Sequence, residues 1–573
     1  MIFINKFNAI NSRNELFEFL KVKKEIMNYI LYVKKTECSY NSFKIEKKSG
    51  GFREINAPDD ELKVIQKKLA LSLWLYQKEI WDEKGINPNI SHAFEKDKSI
   101  ISNARIHRNK KFVLNLDLEN FFKSFHFGRV KGFFEKDRDF KVPPEVAVVI
   151  AQLTCYDGYL PQGAPSSPII TNLICRILDF RILKLAKKFK LDYTRYADDL
   201  TFSTNRKGFL ADYIDFLEEL SKEILRAGFK INDSKTRMQY SNSKQIVTGL
   251  IVNKKINIDS TYYRKTRAIA HTLYKGKEIE INGKKATIDN LEGRFAFINQ
   301  LDRYNNAINA EITVGKKKKF AFNGREMQYR KFLFYKYFFA NTKPLIVTEG
   351  KTDIKYIKSA LKKLYKDYPN LVSKTSDGIF EYKISFLKKT NRLRYFLGIQ
   401  KDGATALTEI YKYYAPSNGL NDPYINYMDE FKRISDSQAE KPVFLLFDNE
   451  MGKKSDKPLK KFVGCAKINE DKISELKDTL KLKLIDNLYV LTNPLVSNKE
   501  ECEIEDLFDK KVLETVIKGK TFQRNEKKFN KEKHYGKEIF STYIAENYES
   551  IDFSNFKKIL DNIESISQKF KLG

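Results

Sequence analysis

Cysteine is scarce and scattered. Five occur in 573 residues, Cys38, Cys155, Cys175, Cys465 and Cys502, and no two form a C-x-x-C pair. That spacing excludes a zinc ribbon and a disulfide framework, and it suits thiols kept reduced. Long hydrophobic runs are missing as well: no stretch approaches the ~20 apolar residues of a membrane helix. Lysines interrupt the N-terminal segment too early for a secretory signal. The expectation is a cytoplasmic chain that does not enter a membrane. No internal repeat is found, which excludes solenoids and propellers.

What the chain has in excess is positive charge. Lys and Arg number 105 against 74 Asp and Glu, a net +31, with a pI near 9.5. Aromatics make up 13% of residues, with 31 Tyr and 43 Phe. Cations neutralise phosphate while rings stack bases, so nucleic acid is the expected partner. A length of 573 residues with 42% hydrophobic content supports more than one packed domain.

The acids that carry chemistry sit at strand ends. Tyr196-Ala197-Asp198-Asp199 lies between two strand-like runs, Leu191–Arg195 and Leu200–Thr204, which puts two carboxylates at a hairpin tip. Phe112-Val113-Leu114-Asn115-Leu116-Asp117 reads as a buried strand ending in a third. Between them, Leu160-Pro161-Gln162-Gly163-Ala164-Pro165-Ser166-Ser167-Pro168 is a fixed loop entering a helix. Three acids so placed suit divalent cations for phosphoryl transfer.

The order Asp117, Pro161-Gln162-Gly163, Tyr196-Ala197-Asp198-Asp199, then Gly228 to Lys235-Thr236, resembles the palm of a reverse transcriptase. Asn103-Ala104-Arg105-Ile106-His107 and Val247-Thr248-Gly249 further resemble two signatures of the retron reverse transcriptases. The resemblance implies an RNA-directed DNA polymerase that copies a cognate non-coding RNA into branched RNA–DNA from dNTPs. It implies two Mg²⁺ on Asp117, Asp198 and Asp199. Arg53, on a hairpin turning at Ser49-Gly50-Gly51, would meet the incoming triphosphate. Phe122 would gate against a 2′-OH, Gln162 would line the nucleotide pocket, and Lys235 would contact or protonate phosphate. Asn103, His107, Val247, Thr248 and Gly249 would serve the RNA.

The second half carries a different pattern. Leu345–Thr348 runs into Glu349-Gly350, and Val443–Phe447 runs into Asp448-Asn449-Glu450. Acids at strand carboxyl ends are where α/β folds place their sites. The pair resembles the TOPRIM fold, with Glu450 where the family pattern has a second Asp and Gly398–Gly403 as its intermediate glycine turn. That implies a nuclease site holding Mg²⁺ or Mn²⁺ on Glu349, Asp448 and Glu450, with Lys351 and Lys453 as neighbouring cations. Glu505-Asp506 either extends that site or opens a solvated helix.

The expected architecture is an α+β right-hand polymerase followed by an α/β TOPRIM-like domain. Residues 1–255 hold fingers and palm, 256–324 thumb and linker, and 325–573 the effector domain. The whole resembles the reverse transcriptase–TOPRIM fusion class of retrons, whose role is antiphage defence. The runner-up is a group II intron-like or free-standing reverse transcriptase with a non-catalytic, nucleic-acid-binding C-terminal part. The nucleic-acid target of the second site and the oligomeric state, a homo-oligomer included, stay open.

Overall fold

The computed structural model describes residues 2–47, 50–86, 89–312, 322–400, 403, 405–415, 424–435, 438–452 and 457–572; the side chains of 307–312, 526, 571 and 572 are outside the description. Lys316–Lys319, Lys453 and part of Gly398–Gly403 therefore lie outside the described residues. The chain divides into two compact units, Met1–Ser260 and Thr261–Gly573. Among the described residues no helix is long and apolar enough to cross a membrane.

The first unit is built on a four-stranded antiparallel sheet. Strands β3 (Phe112–Asp117), β4 (Asp192–Tyr196), β5 (Asp199–Thr204) and β6 (Arg237–Tyr240) stand in the order β4-β5-β3-β6. Ahead of them, β1 (Tyr40–Glu46) and β2 (Phe52–Pro58) form the expected hairpin. Helices α1 (Asp60–Glu83), α2 (Ile100–Ile106), α3 (Ser167–Lys188) and α4 (Tyr213–Arg226) surround the sheet. Pro168 stands in the first turn of α3, where its missing N–H costs nothing. Leu114, Leu116, Leu200 and Phe202 join Leu173, Ile182, Phe216 and Leu220 in one core. A small hairpin, β7 (Ile246–Val247) and β8 (Leu250–Ile251), follows.

The second unit begins with α5 (Ser260–Tyr274) and α6 (Ile288–Ile312), joined through a short hairpin of Ile279–Ile281 with Lys284–Ala286. Helix α7 (Gly324–Phe334) continues as a π-turn through Phe339. Ala270, Tyr274, Leu291 and Phe295, expected to belong to a separate thumb, share one core with Tyr329, Phe332 and Phe338. The division thus follows Ser260, and residues 261–312 pack with what comes after them.

The rest of this unit is an α/β sheet. Strands β9 (Leu345–Thr348), β10 (Ser385–Phe386), β11 (Val443–Phe447), β12 (Lys481–Ile485) and β13 (Leu488–Thr492) stand in the order β10-β9-β11-β13-β12. All pairings are parallel except β12 with β13. β9 and β11 are buried along their whole length, as strands covered on both faces must be. Helices α8 (Asp353–Lys363), α9 (Asn391–Leu397), α10 (Lys537–Glu546) and α11 (Lys557–Leu572) complete it. Connections leave β9 toward opposite sides, so the crevice between the ends of β9 and β11 is the switch point where α/β sheets bind ligands.

Candidate functional sites

The palm acids meet because of strand register. Asp117 ends β3 directly across from Asp199 at the start of β5. Tyr196 pairs with Asp199, leaving Ala197 and Asp198 as the two-residue turn, and Ala197 takes φ +58°. The Leu118 amide donates to the Asp198 carbonyl at 3.0 Å, tying the two acidic elements together. Burial first, then Asp117, raises the Asp198 carboxyl. Crowding by the surrounding chain, then Asp198 and Asp117, lifts Asp199 to about 7; its solvent-facing side screens part of that shift. Lys235 answers the acids, its Nζ 2.8 Å from Asp117 Oδ1.

A cleft of about 1210 Å³ opens beside these acids, and Arg53, Asp117, Phe122, Gln162, Asp198 and Lys235 all line it. Its two walls are joined by backbone: the Asn56 amide in β2 donates to the Gln162 carbonyl at 2.8 Å. Gly163, at φ +121°, makes that approach feasible, because a Cβ there would stand 2.9 Å from the Asn56 carbonyl oxygen. Phe122 packs edge-on against Phe121 at 5.5 Å, and Phe121 stacks on Phe229. Phe229 of the Gly228-Phe229 motif thus sets the position of the gate ring. Ser166 makes no capping bond; Ser167 Oγ instead donates to the Pro161 carbonyl and fixes the loop.

Among the described residues, no three His, Cys, Asp or Glu side chains are gathered into a ready-made ion cage. The palm acids still fit Mg²⁺. That ion keeps most of its waters and takes one or two carboxylates plus substrate phosphates, and the mutual repulsion that raises Asp198 and Asp199 is what a cation relieves.

Residues 45–276 match the family model described as reverse transcriptase (RNA-dependent DNA polymerase). The retron Ec86 reverse transcriptase of Escherichia coli is 34% identical over 297 residues, taking in 51% of this chain and 86% of that one. The retron Mx65 reverse transcriptase of Myxococcus xanthus is 30% identical, over 46% of this chain and 61% of that one. The chain belongs to the retron reverse transcriptases.

The residues expected to serve this retron enzyme's RNA are mostly internal. His107 and Asn103 are each 0% exposed, so neither touches RNA directly. His107 Nδ1 lies 2.8 Å from Ser203 Oγ and Nε2 2.7 Å from Thr194 Oγ1, and the Thr194 hydroxyl donates to Asn103 Oδ1 at 2.6 Å. The four residues bolt α2 to β4 and β5. Burial holds His107 down at about 3, which keeps the ring neutral. Val247 is a core residue. Thr248 and Gly249, both at positive φ, form the β7–β8 turn, and Gly249 reaches the surface.

Sequence reading missed the brace behind the acids. Arg195, 0% exposed, makes a two-pronged contact with Asp179 and donates to the Ala197 carbonyl at 3.2 Å. An arginine inside an apolar strand was the available signal, since such a charge is buried only when paired.

The family model ends at residue 276, so the second acid cluster rests on its own geometry. Glu349 and Asp448 meet at the switch-point crevice, where the Asp448 amide donates to Glu349 Oε1 at 3.1 Å. Asp448 Oδ1 accepts from Asn493 Nδ2 at 2.7 Å and the Ile504 amide at 2.8 Å. Burial, then Asp353 and Glu450, raises Glu349 to about 7; burial, then Glu349, holds Asp448 well above the carboxylate range. Each donates one oxygen's capacity to the fold and keeps another, a donor set that fits a hard cation.

Glu450 is buried nearby and ion-paired to Lys457. Lys351 pairs with Glu538 at 2.9 Å. Two acids join that were not expected. Asp353 Oδ2 accepts from the Gly350 amide at 2.8 Å, and a Cβ on Gly350 would stand 3.0 Å from Asp353 Oδ1, which accounts for glycine after Glu349. Glu505 and Asp506 are buried rather than a solvated helix start. Lys537 Nζ holds Glu505 at 3.1 Å, and Lys499 holds Asp506 at 2.8 Å.

Proposed function

We propose that this retron reverse transcriptase makes branched RNA–DNA from a cognate non-coding RNA, and that its second unit is a TOPRIM-like, metal-dependent nuclease serving antiphage defence. One observation carries the polymerase reading: Asp117 faces Asp199 in register, with Asp198 at the turn, beside a cleft lined by Arg53, Phe122, Gln162 and Lys235. Arg53 offers a planar cation to the triphosphate of a dNTP. Phe122 stands where a ribose 2′-OH would project. Gln162 lies along the base, and Lys235, held by Asp117, supplies charge or a proton to departing pyrophosphate. Asp117, Asp198 and Asp199 would hold Mg²⁺, and Glu349 with Asp448 would hold Mg²⁺ or Mn²⁺. Such ions, when bound, lower the pKa of the attacking oxygen and neutralise the leaving phosphate.

The nuclease reading rests on acids at the ends of two adjacent parallel strands, at the sheet's switch point. Asp353, Glu505 and Lys537 set the charge around Glu349 and Asp448. Lys389 donates to the Glu349 carbonyl at 2.9 Å and steadies the strand end.

The test is to purify the full chain with its co-expressed flanking DNA, add labelled dNTPs and Mg²⁺, and treat the product with debranching enzyme. The expected product is DNA joined to RNA through a 2′,5′ linkage, absent from Asp198→Asn while RNA is still retained. DNA free of attached RNA would leave an ordinary reverse transcriptase in place of this reading.

A further inference from the structure

A second cleft, of about 810 Å³, lies wholly in the second unit and away from the acids of that unit's switch point. One wall is helix α6, which turns Phe297, Asn299 and Arg303 toward it; the other is α9, with Arg392 and Tyr395, and Tyr337 lies between. The lining is cationic and aromatic, and among the described residues no Asp or Glu contributes to it. Arg392 is committed to Glu292. Arg303 is exposed, and its guanidinium stands 5.6 Å from the centre of the Tyr395 ring.

Two details give the cleft a chemical preference. The Tyr395 hydroxyl donates to Glu326 Oε1 at 2.7 Å, which fixes the ring by its edge and leaves its face for stacking. Asn299 Oδ1 is buried and accepts no hydrogen bond; an acceptor left so is expected to have a partner supplied from outside the fold. Rings for stacking, an arginine for phosphate and an amide acceptor for a base N–H are the parts of a single-strand site. A duplex would hide both the base faces and the N–H groups that these residues address.

We propose that this cleft binds an unpaired nucleotide segment, with a base stacked on Tyr395 or Phe297, a base N–H donated to Asn299 Oδ1, and phosphate on Arg303. The proposal stands apart from branched-DNA synthesis, because it concerns binding without dNTPs. RNA and DNA single strands share this chemistry, so both are tested.

The experiment uses the full chain and 5-iodouracil-substituted single strands of about twelve nucleotides, one DNA and one RNA, with crosslinked peptides mapped by mass spectrometry. Crosslinks at Phe297, Tyr337 or Tyr395 support the proposal, and the stronger strand identifies the source. Arg303→Glu is expected to cut crosslinking at these peptides tenfold or more and to lower the salt dependence by about one phosphate contact. Arg303→Lys is expected to restore the salt dependence. Since Arg303 is at the surface, folding is checked by the unfolding midpoint. Crosslinks confined to residues 1–260, an Arg303→Glu variant with unchanged yield at these peptides, or equal displacement by poly-glutamate would each overturn it.

Discussion

Arg195 grips Asp179 with two parallel bonds, Nε to Oδ1 at 2.8 Å and Nη2 to Oδ2 at 2.7 Å, and turns its third nitrogen to the carbonyl of Ala197. The pair therefore supports, from inside the protein, the turn that presents Asp198. It never meets substrate. Arg195→Lys keeps the charge but loses the fork and the bond to Ala197. DNA synthesis is expected to fall about tenfold or more, ~1.4 kcal/mol of lost positioning, mainly in kcat with the KM for dNTP little changed. Asp179→Ala, which leaves a buried cation unpaired, is expected to cost ~3–5 kcal/mol of stability. Steady-state extension and denaturant unfolding measure the two; wild-type kcat in Arg195→Lys would show that the turn needs no such support.

His107 gives a prediction opposite to that of an RNA contact. Its removal leaves the Ser203 and Thr194 hydroxyls without their ring partner, about 1–3 kcal/mol for each. Branched product and extension of an ordinary primer are expected to fall together in His107→Ala, by loss of folded enzyme. The pH dependence follows in sign. Burial lowers His107 to about 3 and His92 to about 4, below the ordinary value near 6.5. Between those values the unfolded chain holds more protons, so stability is greatest above about 6.5 and declines as pH falls toward 4. His107→Gln should flatten that decline, read as the unfolding midpoint between pH 7 and 5. A slope equal to the wild type's would mean the ring is not held neutral.

These outcomes mark where the sequence is legible. Strands ending in acids, a Pro-Gln-Gly loop and a hairpin tip are local patterns, so Asp117, Gln162, Asp198 and Glu349 could be placed from the chain alone. Burial of a polar motif is not local. Asn103 and His107 look like surface residues until α2 is seen against β4 and β5. The same holds for Asp353 and Glu505, whose roles depend on a lysine as distant in sequence as Lys537. The segment read as a separate thumb also looked self-contained, because the residues that bury Tyr274 and Phe295 come from helices later in the chain.

Gly163 couples the two walls of the polymerase cleft. With a Cβ there 2.9 Å from a backbone oxygen, the β2 strand must shift away, and φ +121° is itself a conformation for glycine. Gly163→Ala is expected to displace Arg53 and Gln162 relative to each other. The KM for dNTP should rise by about tenfold, while RNA retention, which does not use this contact, stays near wild type. Nucleotide titration of extension rate checks it; an unchanged KM would mean that the loop and hairpin move independently.

Glu349 and Asp448 test the second unit. Their carboxyls are crowded at one crevice, with Glu349 raised to about 7, and a divalent ion would remove that repulsion. Glu349→Gln keeps the shape and the acceptor for the Asp448 amide but removes the charge. Two results are expected of it. Thermal stabilisation of the second unit by Mn²⁺, present in the wild type, should disappear, and metal-dependent cleavage of RNA or DNA should fall by about 10² or more, on the scale of losing an electrostatic stabiliser. Reverse transcription, run on acids in the other unit, should persist. Asp448→Asn should behave alike, since its Oδ1 already serves Asn493 and Ile504 and only the charge is lost. Host toxicity of the triggered wild type should vanish with either change. If Mn²⁺ stabilises the Glu349→Gln protein as it does the wild type, or toxicity survives in both variants, the crevice is not a metal-dependent nuclease site and the second unit acts by binding alone.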